Sequence, residues 1–290
     1  MSNQPPAWSL AVGSMLTVQV AAALSTRLFP VVGPAGTAWL RLAAGAVIFL
    51  ALARPRFSSW TLRQLRVPIV LGLATGAMTV CFLSALDRIP LGTTVAIEFL
   101  GPLGVAVVRS HDRRALLWPA LALLGVVAMT RPWTGEIDPV GVLLALVSAA
   151  CWATYIVLTQ HVGDRFSGLD ALAISIPVAA IAAAAVGVPQ AWGHITGQVV
   201  LQSIGLALLL PVLSFSLELV ALRRLTAAAF GTLMSLEPAL GTAIGVLLLA
   251  QVPDAWELVG VVLVVVAGIG AERSGHREPS VAVAVPPGTA

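Results

Sequence analysis

The sequence predicts an all-α membrane protein with ten transmembrane helices, arranged as two inverted five-helix repeats with both termini cytoplasmic. Three observations predict it. Of 290 residues, 58% are hydrophobic and 10% charged, and the mean hydropathy is +0.96, a balance foreign to soluble domains. The apolar residues fall in runs of about 20, enough to cross the hydrocarbon core of a bilayer. Finally, the chain overlays on itself at an offset of 136 positions. This brings PLGTTVAIEFLGPLGVAVV onto the stretch 226–250, with Leu86 on Leu222, Arg88 on Arg224 and Pro102 on Pro238, without a gap.

Window hydropathy and loop punctuation place the spans at 8–28, 35–53, 67–86, 91–109, 115–131, 139–160, 169–190, 199–222, 226–250 and 254–271. The first run follows a segment with no basic residue and no cleavage site, so it reads as a span and not as a removable signal. Short connections such as Arg88-Ile89-Pro90 predict that the third and fourth spans are hairpin partners. Gly72 with Gly76, and Gly241 with Gly245, are small-xxx-small steps suited to close helix contacts. The repeats occupy 8–136 and 137–272, and residues 273–290, rich in Pro, Ala and Val without periodicity, read as a disordered cytoplasmic tail.

Arginine placement sets the orientation. The chain has no lysine, and twelve of its sixteen basic residues fall in loops that are cytoplasmic if the N-terminus is. Only Arg27, Arg88 and Arg131 fall outside, and Arg41 lies within a span, so the positive-inside rule places both termini in the cytoplasm. An odd number of spans per copy turns the second copy upside down, an architecture that recurs in secondary transporters. A net charge of +3 scattered over short loops fits lipid as the surroundings and gives no nucleic-acid surface. Cys81 and Cys151 lie within apolar spans as small hydrophobes, and the sequence carries no disulfide, metal-ligand or redox pattern. His111, His161, His194 and His276 fall in loops or the tail, so no nucleophile and base share a span. Neither an enzyme nor a cofactor is expected. A channel would need a continuous polar ring, and the polar groups here are isolated.

Chemistry must come from the few polar groups at membrane depth. A charge there costs several kcal/mol unless it faces a polar interior. Glu98 lies near the middle of the fourth span, Glu237 near the middle of the ninth, Glu218 in the cytoplasmic third of the eighth, and Arg41 about two turns into the second. They read either as proton-titratable carboxylates and partners of a substrate ammonium group, or as structural groups, for example Arg41 paired with a glutamate. Pro102 and Pro238 each remove a helical hydrogen bond and free a carbonyl about one turn earlier, near Glu98 and Met234. Trp152 and Tyr155 share a face with Thr159, and Gln19 stands where the repeat equates it with Tyr155. Such groups suit a cavity wall, although Trp and Tyr also form interfacial belts. Ser214 lies one turn before Glu218, with its hydroxyl available to a backbone carbonyl.

The segments LFPVVGPAGTAWLRLAAG, LDRIPLGTTVAIEFLGPLGVAV, SAACWATYIVLTQ and SFSLELVALRRLTAAAFGTLMSLEPALG resemble bacterial inner-membrane exporters of threonine and homoserine. These belong to the EamA-domain branch of the drug/metabolite transporter superfamily, and the resemblance runs over roughly residues 10–270. It implies ten helices in two inverted repeats, and a central cavity lined mainly by helices 1, 3, 4, 6, 8 and 9. It also implies a multi-pass protein, monomeric or homodimeric, that exports a small amino acid against protons by alternating access. The family's marked positions fall on Arg41, Glu98, Pro102, Trp152, Glu218, Glu237 and Pro238. The Pro/Ala/Val tail and the absence of lysine depart from the family pattern. The runner-up reading is a same-fold exporter of another small metabolite or drug.

Overall fold

A computed structural model describes residues 6–53, 62–108, 116–131, 133–163, 168–222 and 233–274. Among these residues every regular element is helical. The tail beyond Ser274 lies outside them, as do 54–61, 109–115, 164–167 and 223–232, which hold parts of the predicted cytoplasmic loops and the start of the predicted ninth span.

The chain begins with α1 (Ala7–Ser25), a 3-10 turn (Thr26–Leu28) and α2 (Phe29–Ala53). Gly33 interrupts α2 with φ 70° and ψ 165°, a conformation open to glycine, so the continuous helix starts at Pro34. Restarting there leaves the N–H groups of Ala35 and Gly36 without helical acceptors. The Oε1 of Gln190 accepts from both, at 2.9 and 3.2 Å. After α3 (Leu62–Leu86), the predicted fourth span is two short helices, α4 (Leu91–Glu98) and α5 (Leu100–Val108), with a turn at Phe99. Next come α6 (Leu117–Thr130), α7 (Pro139–Gly163) and α8 (Gly168–Ala191).

The predicted eighth span is also broken. It comprises α9 (Gly197–Ala207), a π-type segment (Leu208–Leu213) and α10 (Ser214–Leu222). Pro211 explains the break, because the residue before a proline is pushed toward extended dihedrals and Leu210 has φ −139° and ψ 113°. A turn at Ser235 and Leu236 leads into α11 (Glu237–Leu249), and α12 (Ala255–Ser274) completes the described chain.

By length and composition, four helical stretches could cross a membrane: Trp8–Ala53, Leu65–Leu86, Pro139–Leu158 and Leu172–Ala191, with shorter apolar helices between and after them. Val47, Ile181, Leu201, Leu247 and Val262 are among many large apolar side chains left exposed on the outside of the bundle. The interior instead holds Gln19, Arg41, Thr93, Ser148, Ser214 and Glu237. An apolar exterior around a polar interior suits lipid as the surrounding solvent.

Small residues set the seams. Helix α2 packs on α8, α6 on α12, α3 on both α7 and α8, and α4 on α11. A Cβ on Gly72 or Gly76 would run into the backbone of α8 at Ser175 or Ala179, and one on Gly241 into Val95 of α4. Both glycine pairs are therefore contact points. Leu86 and Leu91 share one apolar cluster across the α3–α4 connector, but α3 lies chiefly against α7 and α8. The break at Phe99 turns α5 onto α7.

At the helix ends, Asp138 caps α7, its Oδ1 accepting from Val140 and Gly141 N–H at 2.8 and 3.3 Å. Its other oxygen meets Arg88 at 2.8 Å. Asp254 and Glu257 form a reciprocal capping box at the start of α12, and Asp254 also pairs with Arg131 at 2.5 Å.

Candidate functional site

Four helices bring the ionisable groups together. Glu98 is the last residue of α4 and Glu237 the first of α11, so each carboxylate stands at a break in a helix. Pro102 and Pro238 lie in the first turns of the segments that follow, where a missing N–H costs nothing. Glu218 comes from α10 and Arg41 from α2. Glu237 is close enough to both Glu98 and Glu218 for their charges to interact, and Glu98 is in the same relation to Arg41. Four groups scattered over nearly 200 positions thus share one electrostatic neighbourhood.

The pairing within this neighbourhood is incomplete. No nitrogen of Arg41 lies within 4.0 Å of a described carboxylate, so the structural ion pair is absent among the described residues. Its Nη1 is buried without an acceptor, and the residue is only 5% exposed. Glu98 instead takes a hydrogen bond from Ser148 of α7, whose Oγ also lies 3.1 Å from the carbonyl of Met78 in α3. One hydroxyl proton can serve one of these acceptors at a time. Ser148 therefore ties α3, α4 and α7 at a single point.

Gln19 of α1 is 1% exposed and its Oε1 has no donor; it sits beside Gly241, one turn beyond Glu237. Ser214 differs from expectation. Its hydroxyl has no partner, while its backbone carbonyl accepts from the hydroxyl of Ser14 at 2.9 Å. Trp152 packs against the apolar cluster that includes Ile97 and Phe99, beside the break in the fourth span. Tyr155 packs against Leu71 of α3 with Val67 and Leu158. The side chain of Thr159 lies outside the described residues.

Ser148 and Thr93 were not singled out in the sequence. Thr93 is buried on α4 with its hydroxyl unpartnered, beside a small cavity shared with Thr242 and Gln251. A signal for Ser148 existed: it lies one helical turn before Trp152, on the face already marked as polar.

An all-helical, lipid-facing bundle with carboxylates at broken helices defines a membrane transporter. The chain belongs to the EamA-like transporter family, whose model matches residues 139–270. It is 34% identical over 275 residues to the threonine/homoserine exporter RhtA of Escherichia coli strain K12, covering 92% of each chain. The same figures hold for RhtA of Salmonella typhimurium strain LT2. It is 25% identical over 275 residues to the pseudopaline exporter CntI of Pseudomonas aeruginosa PAO1, covering 91% of this chain and 95% of that one. One solved crystal structure shares the fold with a TM-score of 0.61 at 19% identity, covering 92% of this chain and 96% of that one.

Proposed function

We propose that this protein is a proton-coupled secondary transporter of the bacterial inner membrane that exports small amino acids such as threonine or homoserine. The observation that carries the reading is the meeting of Glu98, Glu218 and Glu237, from three helices, in one interior neighbourhood. Glu237 is in electrostatic range of both other carboxylates, so the three do not ionise independently and a proton or an ammonium group entering among them is favoured. In this reading the cargo's ammonium group is drawn from the cytoplasm to Glu98 or Glu237. A proton from outside then displaces it and returns the empty carrier.

Alternating access between inverted repeats at 8–136 and 137–272 is supported by the packing. Exchanging each helix for its counterpart one repeat later turns α3 on α7 into α10 on α1, while α2 on α8 and α6 on α12 map onto themselves, and α4 on α11 joins the two broken spans. The glycine contacts make these last three pairs antiparallel, as inversion requires. The turns at Phe99 and Ser235 are separated by the repeat offset itself. Proline at matched positions explains why both copies break there.

The test is uptake into inside-out proteoliposomes of labelled threonine, homoserine and a panel of other amino acids under an imposed pH gradient. Accumulation that collapses with the gradient is expected. Glu98→Gln and Glu237→Gln should each fold normally yet lower proton-driven uptake by at least about tenfold. Undiminished uptake by both variants would refute the coupling. The likeness to a pseudopaline exporter favours a second reading, export of another small metabolite. Absence of amino-acid uptake by the wild type would shift the cargo to that class.

A further inference from the structure

Arg41 is a buried guanidinium with an open donor. A guanidinium carries five N–H groups in a fixed fork that matches a carboxylate. Removed from water, it is costly to leave partly unsatisfied. Yet Nη1 has no acceptor among the described residues, and no described carboxylate lies within 4.0 Å of the group. The nearest compensating charge is Glu98, which is within electrostatic range but bonded to Ser148. A cation and a carboxylate thus stand in electrostatic range of one another without bonding to each other.

An α-amino acid carries a partner for each of them. Its carboxylate and ammonium groups are held about one hydrogen-bond length apart on a single carbon. We infer that Arg41 anchors the α-carboxylate of the cargo while the ammonium group faces Glu98, so that the zwitterion completes the pair the protein leaves open. The inference rests on the amino-acid export reading and adds a discrimination that reading lacks. Carboxylates alone would accept any small amine, whereas Arg41 with Glu98 requires both charges on one carbon. The fork geometry also means that lysine is a poor substitute, because a point charge cannot make the two parallel bonds.

The experiment is equilibrium binding of labelled L-threonine to the full chain in lipid nanodiscs, with displacement by unlabelled threonine or by threoninamide. The amide keeps the ammonium group and side chain and loses only the anionic carboxylate. Threoninamide is expected to displace the label at least about tenfold less well than threonine, since a site built to pair a group rejects the analogue that lacks it. In Arg41→Gln that preference should disappear and threonine itself should weaken by roughly tenfold or more, with Arg41→Lys intermediate. Equal displacement by the two compounds on the wild type would overturn the role of Arg41 while leaving amino-acid export standing. A full preference retained in Arg41→Gln would do the same. No amino-acid binding by the wild type would overturn both. The wild-type comparison needs no variant to fold.

Discussion

Each polar side chain in this interior can be asked what it bonds and what it leaves open. Ser148 is the sole described partner of Glu98 by hydrogen bond, and it reaches across from another helix. Ser148→Ala should lower the melting temperature by the equivalent of about 1 kcal/mol and reduce transport, while Ser148→Thr, which keeps the hydroxyl, should retain most of both. Gln19 presents the opposite case. Its amide oxygen is buried without a donor, so Gln19→Leu removes an unmet acceptor and should raise stability by up to about 1 kcal/mol while lowering transport. Thermal unfolding in detergent alongside proteoliposome uptake checks both. Glu98, Glu237 and Arg41 were legible in the sequence because a charge inside an apolar run is anomalous in itself. Ser148 and Thr93 were not. Hydroxyls are common in membrane helices and often bond the carbonyl one turn back, as Ser25, Thr75 and Ser203 do here at 2.7–2.8 Å.

The carboxylates stand on short helices, while the ends of longer ones are stabilised by side chains. Asp138 is the clearest example. The hydrogen bond from Arg88, helped by the N–H groups of Val140 and Gly141, holds its carboxyl below the usual carboxylate range. A depressed pKa in the folded state contributes stability that is fully present above the unfolded value, about 3.9, and is lost as pH falls through the folded one. Asp138→Asn should therefore melt at a lower temperature than the wild type at neutral pH, with the difference closing as the solution is made strongly acidic. The breaks at Phe99 and Ser235 could be placed from the sequence because Pro102 and Pro238 recur at the repeat offset. The break at Leu208–Leu213 could not, although Pro211 lies within it. Hydropathy stays high through that segment, and a lone proline in a membrane helix does not say whether neighbours will absorb the kink or a full turn will open.

Across the whole molecule, lipid gives helices little reason to associate, so shape complementarity at small residues has to hold the bundle together. The α6–α12 seam is tight. A Cβ on Gly125 would come within 2.7 Å of the Gly260 carbonyl, and one on Gly260 within 2.5 Å of the Gly125 carbonyl. Gly125→Leu should cost about 1–3 kcal/mol through overpacking and lower the yield of folded protein without touching the polar interior, as size-exclusion chromatography and thermal unfolding would report. Which helices pair in this way was not readable from a window of hydropathy, since glycines facing lipid and glycines facing a neighbour look alike in a single chain. One arrangement at the ends of these helices bears on motion. Gln190 caps α2 and Gln251 caps α4, its Oε1 accepting from Leu91 N–H at 3.0 Å, and in both cases the cap comes from the other half of the chain. A side-chain amide is a tethered stand-in for solvent. If the halves part at that end, water can take over each of these backbone donors one for one, so that such a parting would strand none of the three.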